Sequence, residues 1–160
     1  MNVTDVKNAW IDALIEPGSA LTVWCLETYG RACRVYVGMD EDHQPGQDDC
    51  PCVEIAVAGR VTGPAVNPRE YLFTAVMSLY DDARVDHDNP LVSECAGVDR
   101  LETFTEHVSD LFLGVINDHA VNASVDEHIV ENNSIESFPF FQSGSMFKVT
   151  EEWTTGSSVY

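Results

Sequence analysis

Val3, Val6, Trp10 and Leu14, joined by Ala13, recur at spacings of three and four residues, the signature of one helix face. The pattern predicts a helix over 3–15, capped by Asn2 or Thr4 and stopped by Pro17-Gly18. A single apolar stripe on so short a helix requires a surface to dock on. The next stretch, 21–38, reads as two strands around Tyr29-Gly30, "LTVWCLET" and "ACRVYVG", with Cys33, Val35 and Val37 on one face and Arg34 and Tyr36 on the other. A helix over 20–29 stays open, because Thr, Val and Trp are only weakly strand-specific.

Residues 39–51, "MDEDHQPGQDDCP", form a polar acidic loop. Beyond it Val53, Ile55 and Val57 alternate with Glu54 and two alanines, which predicts a half-buried strand over 52–59. Gly59, Gly63, Pro64 and Pro68 break the pattern before a long strand at 69–80. There Tyr71, Phe73, Ala75, Met77 and Leu79 share one face, while Leu72 and Val76 join Glu70, Thr74 and Ser78 on the other. A partly apolar second face calls for cover from a helix or from another subunit. Residues 81–97 read as a loop. A helix over 99–118 follows, carrying Leu101, Phe104, Val108, Leu111, Phe112 and Val115 on one stripe, with Asp99 and Glu102 as a capping box. From Val125 onward the chain reads as extended, with Phe147, Val149 and Trp153 on one side and Glu151 interrupting them. The order of elements predicts one α+β domain over 1–160: a mostly antiparallel sheet with an N-terminal helix and a second helix packed on one face.

Charge changes this picture. Eight Lys and Arg stand against 27 Asp and Glu, a net charge of −19, in a chain that is otherwise ordinary at 44% hydrophobic residues. Such a surface repels phosphate and argues against a sequence-independent grip on nucleic acid. Acids spread through apolar-periodic segments describe a folded acidic surface, as in proteins from salt-loving organisms. No apolar run approaches the roughly 20 residues of a membrane helix, and "MNVTDVKNAW" lacks a signal peptide's basic and apolar regions. The expectation is a cytoplasm, or a particle assembled there, with no membrane. Five cysteines, an odd number, argue against a disulfide framework, and the triplets at Asn2, Asn122 and Asn132 read as chance glycosylation matches.

Candidate chemistry is sparse. Cys50 and Cys52 flank a proline, with His43 seven residues upstream, but a structural zinc site needs four ligands, usually in C-x₂-C pairs. Pro51 at the start of a strand, with Cys52 a small side chain behind it, is the simpler reading. Asp81, Asp82, Asp86, His87 and Asp88 would suit a hard cation, yet they lack an EF-hand register and its glycine. A solvated acidic loop accounts for them. The histidines at 43, 87, 107, 119 and 128 read as loop or polar helix positions, and no nucleophile elbow, P-loop or dinucleotide fingerprint is present. The expectation is a protein that is not an enzyme, with no catalytic, cofactor-binding or metal-binding residue and no cofactor.

The helix at 3–15, the strand start "CPCVEIAVAGRVTG", the long strand "REYLFTAVMSLYDD", the helix at 99–118 and the closing "SFPFFQSGSMFKVTEEW" resemble, in that order, the tail terminator (tail completion) proteins of long-tailed viruses. The chain departs from that pattern by extra residues at 39–51 and 81–97 and by its acidity. The resemblance implies a virion protein of the tail or neck, assembled in the host cytoplasm. It would form a homo-oligomeric ring, a hexamer, that caps the tail tube protein and meets the head-tail connector (stopper) protein, with DNA passing through the lumen unbound. Acidity adds a halophilic archaeal host. Rival readings are another neck or tail-tube ring protein, a small metal-binding cytosolic protein using Cys50 and Cys52, and a cytosolic binding module.

Overall fold

A computed structural model describes residues 1–38, 45–61, 69–119, 122–132 and 138–151. Helix α1 runs Val3–Ile15 as the stripe predicts, burying Val6, Trp10 and Leu14. Its cap is Asn2, whose side-chain oxygen accepts from the Thr4 and Asp5 N–H groups.

The segment expected as a first strand is instead helix α2, Ala20–Tyr29. Its ends decide the matter. Ser19 Oγ accepts from Thr22 N–H at 3.1 Å, and Gly30, at φ 71°, closes the last turn by donating to Leu26 O at 3.0 Å. Leu21 and Cys25, one turn apart, are both fully buried, so the inward face needs no strand alternation. Strand β1 is then only Arg34–Val37. A 3₁₀ turn, Gln47–Asp49, leads to β2, Cys52–Val61, and β3, Arg69–Tyr80.

The stretch read as a loop at 81–97 contains a small hairpin, β4 (Arg84–Val85) with β5 (Glu94–Cys95), and β5 feeds straight into helix α3, Ala96–His119. The helix therefore begins before Asp99. Asp99 is a first-turn acid near the positive end of the helix dipole and not the expected capping box with Glu102. The early start depends on Gly97. A Cβ there would lie 2.4 Å from the ring of Phe141, itself buried, so the helix rests directly on that ring. Strands β6 (Ala123–Asn132) and β7 (Phe140–Glu151) close the fold, and Trp153 lies outside the described residues.

The main sheet has the order β1-β2-β3-β7-β6, with β1 parallel to β2 and every other pair antiparallel. The architecture is α+β. Helices α1 and α3 pack on one sheet face, and α2 packs against both of them. Phe73, Ala75, Met77 and Leu79 of β3 and Phe141, Phe147 and Val149 of β7 form the sheet side of that core. From α3 come Leu101, Phe104, Val108, Phe112, Val115 and Ile116. Leu111, expected among them, is half-buried on the flank of the stripe. Glu151, the interruption in the last apolar stripe, is buried and partnered: it accepts from the Met1 nitrogen and from the Tyr71 hydroxyl.

Phe112→Ala removes a fully buried ring and is expected to cost about 3–5 kcal/mol. Glu106→Ala, on the exposed side of the same helix, should change stability by less than about 0.5 kcal/mol. Urea denaturation of the two variants measures both, and equal losses would contradict the assignment of faces.

Candidate functional site

The chemistry-bearing residues fall into three groups, and the fold decides what each can do. The first is the cysteines. Cys25 on α2, Cys33 ahead of β1, and Cys50 and Cys52 at the start of β2 are all buried free thiols. They belong to three different places in the chain, yet their thiols influence one another's ionisation, so they share one end of the core. Burial pushes the Cys25 thiol up to about 12 and raises Cys33 as well. The Cys52 thiol is also raised, first by its hydrogen bond with Cys50 and then by burial. The same hydrogen bond lowers the Cys50 thiol, so such a pocket favours neutral, inert thiols at Cys25, Cys33 and Cys52 but not at Cys50. Among the described residues no three of His, Cys, Asp and Glu are placed to hold a metal ion, and His43 lies outside them.

The second group is the acidic run at 81–88. It splits sharply. Asp82, Asp86 and Asp88 are exposed, whereas Asp81 is buried and works as a structural knot. Its carboxylate accepts from the Tyr29 hydroxyl at 2.9 Å, from Arg100 Nη1 at 2.7 Å and from the Ala83 N–H at 3.0 Å. Asp81 thus ties α2, α3 and the end of β3 together. Desolvation and this hydrogen bond both raise the Tyr29 hydroxyl pKa, which keeps it a donor. His87 pairs with Glu94 across the small hairpin at 2.5 Å.

The third group is on the α3–β6 seam, which sequence reading passed over because His128 was expected in a loop or a polar helix position. It lies on strand β6, with its ring stacked on Phe147 at 4.3 Å and 11°. Its Nε2 is 3.4 Å from Ser109 Oγ and 3.4 Å from Ser145 Oγ. Beside it, Thr105 Oγ1 donates to Leu101 O at 2.8 Å and meets Ser143 Oγ at 2.5 Å. These residues floor a groove of about 330 Å³ whose wall is Glu102, Glu106 and Asp110. Ser109 and His128 have the identity of a nucleophile and base. Their 3.4 Å separation is long for that role, and among the described residues no carboxylate orients the imidazole. Desolvation holds the imidazole below its ordinary range. The groove is a polar seam joining helix to sheet, closed by short-chain hydroxyls that let α3 approach β7.

The remaining feature is a surface. On the sheet face away from the helices, β2 presents Glu54, Ala56 and Ala58, β3 presents Leu72, Thr74 and Val76, β7 presents Gly144 and Met146, and β6 presents Ile129 and Glu131. Ser78 and Cys52, at one end of this face, are covered. The centre is open: a Cβ added at Gly144 would meet nothing within 4 Å. A trough of about 280 Å³ runs there, lined by Thr74, Val76, Ile129, Glu131, Gly144 and Met146 among others. Charges stand at its margins, with Lys148 paired to Glu70 at 3.1 Å and Glu131 at the far side. In a chain of net charge −19, the middle of β3 and β7 adds no carboxylate to this face, although Glu54 and Glu131 flank Val76 and Gly144 on it, and local depletion of charge is what marks the core of a protein–protein contact. The sequence signal was Leu72 and Val76 on the otherwise polar side of β3.

Asp81→Ala should destabilise the fold by about 2–3 kcal/mol, because it strips three donors of their acceptor. Asp82→Ala, one residue on and exposed, should stay within about 0.5 kcal/mol. Thermal unfolding with and without calcium or magnesium checks the structural role: a cation-dependent rise in melting temperature that Asp86→Ala with Asp88→Ala abolishes would return this loop to the metal sites.

No protein-family model and no curated protein matches this chain in sequence.

Proposed function

We propose that the protein is a ring-forming structural subunit of a virus tail, a tail terminator that caps the tail tube and meets the head-tail connector. One observation carries the reading: among the described residues the five-stranded sheet is layered by helices on one face only, and Leu72, Val76, Met146 and Ile129 put an apolar strip on its other face, flanked by Glu54 and Glu131. The half-buried Leu72 and Val76 there need a covering surface, and in a ring a neighbouring subunit or the tail tube supplies it. The order of elements supports the same reading. An N-terminal helix, a β2–β3 pair, a long helix and a closing β6–β7 pair follow the tail-terminator pattern, to which helix α2 and the parallel strand β1 are additions.

Net charge −19 suits two aspects of this role. A ring whose lumen carries excess carboxylates lets DNA pass without adhering, since both are anionic. The same surface stays in solution when concentrated salt screens it, which favours a halophilic host. The role needs no cofactor and no catalytic residue.

Sedimentation and native mass measurement across potassium chloride concentrations test the reading. Screening length falls from about 10 Å at 0.1 M salt to about 3 Å at 1 M. Closed assemblies of six copies are expected to grow at the expense of monomer as salt rises to molar levels, with sucrose at matched osmolarity failing to substitute. A monomer at every salt concentration overturns the ring. Assembly that ignores salt overturns the halophilic host and leaves the ring standing.

A further inference from the structure

We propose that neighbouring copies join edge to edge, strand β1 of one copy pairing antiparallel with strand β6 of the next, so that one continuous sheet runs around the assembly. The inference rests on the ring reading and specifies its interface. It starts from the two ends of the sheet. Among the described residues no strand lies outside β1 or outside β6, so each carries an outward row of backbone donors and acceptors. Such edges are templates for another strand.

Direction follows from topology. Strand β1 runs with β2, β2 against β3, β3 against β7, and β7 against β6. Hence β6 runs opposite to β1. Copies related by rotation about a ring axis keep their sheets in the same sense, so the β6 edge of one copy meets the β1 edge of the next as an antiparallel pair. That geometry needs no change in either subunit and pairs the whole of β1 with part of the longer β6 at every interface of the closed ring.

Residue identities then select a register. On β1, Val35 and Val37 point to the helix-bearing face, paired as they are with core residues Val53 and Ile55, while Arg34 and Tyr36 point to the open face. On β6, His128, opposite Phe147, and Val130 point to the helix-bearing face, while Ile129 and Glu131 point to the open face. Setting Arg34 opposite Glu131 of the neighbouring copy places Val35 opposite its Val130, Tyr36 opposite its Ile129 and Val37 opposite its His128. One cation meets one carboxylate and the remaining pairs are apolar or aromatic, all on matching faces. Directly opposed side chains of this kind lie about 4.5–5.5 Å apart at Cβ and stabilise a strand pair. The residues are accessible for it: Val37 is 55% exposed and Val130 45%. Arg34 keeps 59% of its side chain open while approaching Asp49 at 3.5 Å.

Charge also excludes the symmetric alternatives. An antiparallel β6–β6 pair would crowd Asp126, Glu127 and Glu131 of two copies onto one seam whose strands carry no Lys or Arg, and a β1–β1 pair would offer Arg34 no carboxylate within its run of four residues. The heterologous pair alone brings opposite charges together. A chain of net charge −19 can associate this way because β1 is bordered by two of its few cations, Arg31 and Arg34. The short β1 limits each contact to about four residue pairs, so the closed ring is held by repetition and by the apolar trough beside the β6 edge.

A charge swap tests the register. Arg34→Glu, Glu131→Arg and the double variant are compared with wild type by sedimentation velocity, at the lowest potassium chloride concentration that populates the wild-type assembly. Thermal melts confirm that each variant folds. Each single change should raise the protein concentration at half-assembly by about tenfold or more, since it opposes like charges at every interface. The double variant should recover wild-type assembly. Amide exchange over 128–131 should slow on assembly and stay fast in the single variants. Single variants that assemble like wild type, or a double variant that fails to recover, overturn the edge pairing while the ring reading stands. A wild-type chain that remains monomeric overturns both.

Discussion

Phe112 is the point on which the two layers meet. Its ring lies 4.7 Å from Trp10 of α1, 5.0 Å from Phe73 of β3 and 4.2 Å from Phe147 of β7. Phe147 in turn stacks on His128, so a single aromatic chain crosses from the N-terminal helix through α3 and the sheet to its outermost strand. Large rings dominate the energetics of a small core, and their edge-to-face and offset geometries fix the relative position of what they join. Without Phe112, α1 has no platform, because its one apolar stripe docks chiefly on α3. The indole N–H of Trp10 is buried with no hydrogen-bond partner, a cost that the aromatic cluster outweighs.

Putting both long helices on one face has a consequence for the other. A sheet face in water normally alternates to polar residues, and β7 obeys this with Gln142, Lys148 and Thr150, but its middle does not. Gly144 offers no side chain, Met146 is apolar, and the neighbours across the sheet are Val76 and Thr74 on β3 and Glu131 and Ile129 on β6. Small residues in a row produce a shallow trough and not a knob. A flat surface of this shape, apolar along β3 and β7 and flanked by Glu54 and Glu131, accepts another flat surface, which is why an assembly contact accounts for it better than a small ligand, whose pockets are concave and enclosed.

Periodicity made most of the framework legible. The stripes of α1 and α3 and the alternation in β2, β3 and β7 are each set by one apolar face against one core, so the sequence displays them directly. Residues 20–29 were not legible in that way, because both faces of α2 carry apolar residues and no period stands out. The informative signals were local: a serine able to cap at 19 and a glycine able to take positive φ at 30. Reading Tyr29-Gly30 as a turn between strands used the same glycine for the wrong junction. The role of Asp81 was hidden for a different reason. In the sequence it is one of four aspartates in eight residues, and only the approach of Tyr29 and Arg100, from distant positions, separates it from its neighbours. The cysteines show the same limit, since their shared end of the core arises from chain topology and not from spacing.

The distribution of charge completes the account. Four of the described cations are engaged close to home: Arg100 on Asp81, Arg34 near Asp49, Lys148 on Glu70, and Arg31 on the Asp48 carbonyl. Among the described residues the buried carboxylates are Asp81 and Glu151, and both are partnered. The unbalanced acids therefore lie outside, as in Glu102, Glu106, Asp110 and Asp118 along the exposed side of α3 and Asp126, Glu127 and Glu131 along β6. Repulsion among solvent-exposed charges is the kind that dissolved ions screen, whereas the interior, with its carboxylates satisfied, is largely indifferent to them. The core can thus hold one subunit together at ordinary salt, while the approach of a second subunit, which brings two such surfaces within a screening length, depends on the ions around it.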